Sequence, residues 1–194
     1  MQHSKTKQTN PLKFMYGIIN RAIEDLIVEN YGRDTWDEIK AKSNVEVDIY
    51  LSNEPYHDDD TYKLAITAAE VLKVPLGDVL FAFGEYWVLK TGKEKYGHLM
   101  DAGGANLKEF LINLPNFHNR IMLLFPKLMP PEFKISDQQE DSLHVHYYST
   151  RPGLATFVIG LLSGLSKMYK VETKIELMES RDNGHDHEVY KVSW

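Results

Sequence analysis

Apolar residues at Ile18, Ile19, Ala22, Ile23, Leu26 and Ile27 recur every third or fourth position, which predicts a helix with one buried face, starting near Met15 and stopping at Gly32. The same criterion predicts helices over 35–42 and 60–73, and from Pro75, a natural first helical residue, to about Lys90. A longer helix runs from Asn106 to Phe125, with Phe110, Leu111, Leu114, Phe117, Ile121, Met122 and Phe125 on one apolar face. After the breakers Pro126, Pro130 and Pro131 the pattern turns to alternation, and FKIS and LHVHYYST read as strands. A helix rich in Gly and Leu follows from about Gly153 to Tyr169. VETKIELMES and EVYKVSW then alternate again on either side of the turn-like RDNGHD. The order predicts an α+β fold: a helical N-terminal subdomain followed by an αβ subdomain with an antiparallel sheet. MQHSKTKQTNPLKF is polar and without period, so 1–14 is expected to be a disordered tail and 15–194 one folded unit.

Composition narrows the chemistry. With 43% hydrophobic and 26% charged residues, the 194-residue chain can bury a core large enough to enclose a ligand. The net charge of −6 and the lack of a Lys/Arg stripe argue against a nucleic-acid partner. Cysteine is absent, which excludes disulfides, thiolate catalysis and thiolate-held metals, so any metal must sit on His, carboxylate or oxygen donors. The longest apolar runs fall far short of a membrane span, and no apolar signal segment follows the N-terminus, which leads us to expect a cytoplasmic protein.

Two features carry candidate chemistry. On the predicted strand, Tyr147, Ser149 and Arg151 alternate with Tyr148 and Thr150, so the two hydroxyls and the guanidinium share a face. Such a set donates hydrogen bonds to carboxylates, with Arg pairing one bidentately. On its own the triplet equally fits the polar outer face of a strand. His118 lies in the apolar face of the Asn106–Phe125 helix; it reads either as a core histidine or as an imidazole offered to haem iron.

Other clusters read more simply. His57-Asp58-Asp59-Asp60 precedes a predicted helix and reads as a solvated cap, and His185-Asp186-His187 as a surface turn. His144 and His146 share a strand face in structural roles. Gly160-x-x-x-Gly164 reads as a site of close helix packing.

Taken in order, several segments resemble one family. They are Met15-Tyr16-Gly17-Ile18-Ile19-Asn20, Phe83-Gly84-Glu85-Tyr86-Trp87, Asn113-Leu114-x-x-x-His118, Phe125-Pro126 with Pro131 downstream, and Tyr147-x-Ser149-x-Arg151. Together they resemble the H-NOX domain, the haem module of soluble guanylate cyclases and of bacterial NO and oxygen sensors. The resemblance implies a b-type haem (iron protoporphyrin IX) between the two subdomains. His118 would be its proximal iron ligand, Tyr147, Ser149 and Arg151 its propionate clamp, and Pro131 the residue pressing the porphyrin out of plane. Ile19, Trp87, Phe157 and Leu161 match the distal pocket, and Leu114 lies one turn before the ligand. Oxygen-binding members carry a tyrosine where this chain has Phe157.

The implied function is a gas sensor without turnover. It would bind NO, and CO, at ferrous haem, weaken the bond to His118 and signal to a separate histidine kinase or cyclase-type effector. The sequence departs from the family at Pro115, where relatives often have an acidic residue, and in the extension before Met15. Two alternatives remain at this level: a haem enzyme of peroxidase or NO-detoxifying type, and a haem-free binding module on the same scaffold.

Overall fold

The computed structural model describes residues 14–124 and 131–194. The chain opens with β1 (Phe14–Tyr16) and passes directly into α1 (Gly17–Tyr31) and α2 (Arg33–Lys42). Gly32 stands between these two helices at φ +89°, so α1 stops where expected and α2 starts at once. β2 (Pro55–His57) pairs antiparallel with β1, Phe14 lying opposite His57, so Phe14 belongs to the fold and not to the tail. The remainder of the expected tail, 1–13, lies outside the described residues, as do Phe125, Pro126 and Pro130. Next come α3 (Asp58–Leu72) and α4 (Leu76–Tyr86), a π-helical segment (Trp87–Gly92), then α5 (Lys93–Asp101) and α6 (Leu107–Met122). The π segment and α5 differ from the expectation of one helix ending near Lys90. Lys93, Glu94, Lys95, Gly97 and His98 offer no apolar stripe to read, and the backbone at Tyr96 leaves helical values (φ −130°, ψ 16°).

The second half is built on a four-stranded antiparallel sheet in the order β3-β4-β6-β5. Its strands are β3 (Glu132–Ser136), β4 (Ser142–Tyr148), β5 (Lys174–Glu179) and β6 (Glu188–Ser193), with α7 (Ala155–Tyr169) between β4 and β5. On β4, Leu143, Val145 and Tyr147 are buried, whereas His144, His146 and Tyr148 point to the other face. No helix among the described residues is long and apolar enough to cross a membrane.

Two large apolar cores result among the described residues, with a smaller cluster around Tyr16 and Ile18. One joins α1, α2, α3 and α4 through Ile23, Ile27, Trp36, Ile39 and Leu64, and the other joins α6, α7 and the sheet through Phe110, Leu111, Val145, Val158 and Tyr190. Phe157 of α7 packs against both. α4 and α7 meet at glycines: a Cβ on Gly160 would stand 2.2 Å from the Phe81 carbonyl oxygen, and one on Gly84 2.3 Å from that of Phe157. Both obstacles are backbone, so neither can swing aside, and the expectation of close packing at Gly160 and Gly164 is met.

Gly160→Ala is therefore expected to lower stability by about 1–3 kcal/mol. Thermal denaturation should show a fall of several degrees, with Gly97→Ala as the control, because nothing lies within 4 Å of a Cβ placed there. Equal melting temperatures for both variants would contradict the close approach.

Candidate functional site

The site is built from α6 outward. Asn106 caps this helix by accepting the Glu109 N–H at 2.9 Å, and the Glu109 carboxylate accepts in return from the Ala105 N–H. Leu107, Phe110, Leu111 and Leu114 follow at helical spacing and are buried, and His118 continues the stripe one turn beyond Leu114. Pro115 lies inside the helix without ending it, although it has no N–H to give the Leu111 carbonyl. The His118 ring stands edge-on to Phe133 of β3, with centroids 5.2 Å apart, and neither ring nitrogen bonds to a described residue. Burial pushes its pKa down to about 4, so at neutral pH the imidazole is uncharged and keeps a lone pair.

His118 opens on a cavity of about 260 Å³ at the seam between the two cores. Ile19 of α1, Trp87 at the head of the π segment, and Phe157 and Leu161 of α7 all line it, and so do Leu114 and Pro131. Residues that sequence reasoning missed also line it, among them Tyr62, Phe83, Tyr96, Met100 and Phe133. The Phe83 and Phe157 rings meet at 5.1 Å. The π turn, a feature often found at functional sites, presents Trp87, whose indole N–H donates to no described residue.

Tyr147 and Arg151 belong to the polar part of the lining together with Thr61, Tyr62 and Tyr96, and Ser149 does not reach it. β4 ends at Tyr148, so Ser149 and Arg151 do not share a face with Tyr147 by strand alternation. They lie in the loop before α7, where the Ser149 hydroxyl accepts the Arg151 backbone N–H at 3.1 Å. Burial raises the Tyr147 pKa; the Ser149 hydroxyl bonded to it and the Arg151 charge oppose that shift.

Arg151 is buried against Asp58, the first residue of α3. Its Nε donates to Oδ2 at 2.7 Å and Nη2 to Oδ1 at 3.3 Å, and Nη2 also donates to the Phe14 carbonyl at 2.8 Å. Both side chains are only 6% exposed. Asp58 is thus not the solvated cap expected from HDDD, because 93 positions along the chain a buried guanidinium requires its charge.

Four further histidines, His144, His146, His185 and His187, lie on the outer sheet face or its turn. His146 bonds Ser136 and His187, each at 2.8 Å, and His187 also meets Asp186 and stacks on Tyr148 at 4.0 Å. His144 pairs with Asp137. His144 and His146 thus have structural partners, and among the described residues no group of three or more His, Asp or Glu is placed to hold a metal ion.

The fold is thus a helical lobe and a sheet lobe enclosing an apolar cavity whose lining holds one neutral imidazole and one buried guanidinium. The chain belongs to the Haem-NO-binding family, whose model matches residues 16–177. It is similar to two soluble guanylate cyclases of Caenorhabditis elegans. Identity is 31% to gcy-32 over 79% of this chain and 29% to gcy-31 over 85%. The chain spans only 23% and 24% of those two proteins. Among solved structures, the H-NOX protein from S. oneidensis in the Fe(II)NO state matches with a TM-score of 0.84 at 21% identity, covering 92% of this chain and 98% of that one. The Fe(II) unliganded H-NOX protein from K. algicida matches with a TM-score of 0.81 at 22% identity, covering 92% and 96%. Both share the fold.

The burial of His118 implies a pH dependence of the protein without cofactor. Its imidazole titrates near 6.5 in the unfolded chain and about 4 in the fold, so between those values only the unfolded chain takes the proton. Stability should fall as pH drops through that window, by up to about 3 kcal/mol. Urea unfolding of the parent and His118→Leu at pH 7 and pH 4.5 reads this as a shallower loss in the variant. An identical loss in both would refute the burial.

Proposed function

We propose that this chain is a sensor module that holds one b-type haem through His118 and responds to nitric oxide, and to CO, without turning over a substrate. The observation that carries the reading is the His118 imidazole, neutral and without a hydrogen-bond partner among described residues, facing an apolar cavity whose rim offers Arg151 and Tyr147. Haem, when bound, supplies iron with a coordination position open to a diatomic gas. Every other requirement falls on side chains of this chain. His118 presents its lone pair without first losing a proton. Leu114, Phe133, Phe157 and Leu161 keep water away. Tyr147 and Arg151 donate to carboxylates at the rim, while Ser149 holds the Arg151 backbone. Pro131 lies in the same lining, just before β3, where it would bear on the ring.

Of the four residues matched to the distal pocket, Ile19, Phe157 and Leu161 carry no hydrogen-bond donor, and only Trp87 does. That favours NO and CO over oxygen, whose bound form gains most from a donor beside its outer atom. It also disfavours peroxidase chemistry, which needs a polar acid or base there. The effector is proposed to be a histidine kinase or a cyclase-type enzyme acting in trans in the cytoplasm. The guanylate cyclases that resemble this chain over about a quarter of their length support the cyclase class.

Two outcomes test the reading. Purified parent protein should show a haem absorption spectrum, and His118→Gly should lose the cofactor or retain it only with added imidazole; unchanged haem content in the variant would sink the assignment. Air admitted to the reduced parent should leave the ferrous spectrum unchanged or oxidise it slowly. A stable change in air that Trp87→Phe removes would show the indole acting as the missing donor, and oxygen exclusion would be wrong.

A further inference from the structure

We infer that Arg181, gripped by Glu188, is a positioning residue for the carboxylate clamp. The inference rests on the haem reading above and adds to it the residues that set the clamp's geometry. Ser149 and Arg151 lie beyond the end of β4, where no strand partner fixes their backbone. Arg181, at the start of the short 3₁₀ turn Arg181–Asn183 after β5, takes over that task. Its Nη1 donates to the Ser149 carbonyl and its Nη2 to the Arg151 carbonyl, the latter at 2.8 Å. Its Nε donates to both oxygens of Glu188, at 2.8 and 3.1 Å.

Glu188 is the first residue of β6 and lies directly across from Tyr147 in the ladder, with only 3% of its side chain exposed. One planar fork therefore joins the strand beside the clamp tyrosine to the two carbonyls that frame the clamp arginine. A lysine cannot reproduce it, because an ammonium is a point charge without a rigid fork. Tyr62 of α3 adds a further tether by donating to the Pro152 carbonyl at 2.9 Å. With both carbonyls held, the Arg151 side chain is directed at once toward Asp58, the Phe14 carbonyl and the cavity. The residues that would touch the cofactor are Tyr147 and Arg151; Arg181 and Glu188 act through them.

The test is haem transfer from ferric protein to excess apomyoglobin, measured for the parent, R181K, E188Q, R151A and R181K/R151A. R181K is expected to release haem on the order of 10-fold faster than the parent, the usual scale for losing a supporting partner. E188Q should move the same way to a smaller extent. In R181K the propionate bending bands of the resonance Raman spectrum should shift while the iron–histidine band stays in place. The double variant should release haem more slowly than the product of the two single effects predicts, since the part of the Arg181 effect that passes through Arg151 is already lost. Parent-like release by R181K, or effects that multiply in the double variant, would overturn the inference and leave the haem reading intact. Parent-like release by R151A would instead remove the clamp itself. Should R181K fail to fold, E188Q decides alone: faster release with shifted propionate bands supports the bracket, and parent-like release with unshifted bands overturns it.

Discussion

A guanidinium withdrawn from water at the seam of two hydrophobic cores must find a compensating charge, and the rest of the architecture is arranged around that need. Removing one partner of such a pair typically costs about 3–5 kcal/mol, so the Asp58 and Arg151 side chains hold their segments together. Through them the first turn of α3, the N-terminal strand β1 and the loop after β4 meet at one point. The helical lobe and the sheet lobe could otherwise slide across an apolar surface, where burial sets no direction. The ion pair gives that surface a register and leaves the cavity beside it with a defined rim.

Elsewhere in the cavity lining the same physics acts on a single group. His118 has no compensating partner among the described residues, so it stays neutral, and burial lowers its proton affinity. Two parts of the lining are therefore chemically distinct. One carries a charge that is already satisfied, and the other an uncharged donor of electron density. This polarity belongs to the side chains themselves.

Much of this was legible in the sequence, and the failures share one cause. The α6 stripe, the Gly160 contact and the alternation of β4 follow from local periodicity, and they place His118 and Tyr147 correctly. Strand alternation did not predict how Arg151 reaches the cavity, because the strand stops three residues earlier and a loop makes the connection. Asp58 looks like its neighbours Asp59 and Asp60, and only a contact across 93 positions sets it apart. Glu188 did leave a trace: it alternates with Tyr190 and Val192, both fully buried, which puts a carboxylate on an inward face. The π segment left none, since WVLKTG carries no pattern that separates a wide helical turn from an ordinary one.

The glycine contact between α4 and α7 bears on how the pocket can change shape. Backbones that touch without intervening side chains have little slack, so the two helices move as one plate. That plate carries Phe157 and Leu161 and runs directly into Trp87, so these parts of the cavity lining keep their spacing. α6 borders the same cavity without such a contact: it rests on the edge strand β3, and Pro115 has removed one rung of its helix ladder. The helix that carries His118 is thus the less tightly braced part of the cavity lining.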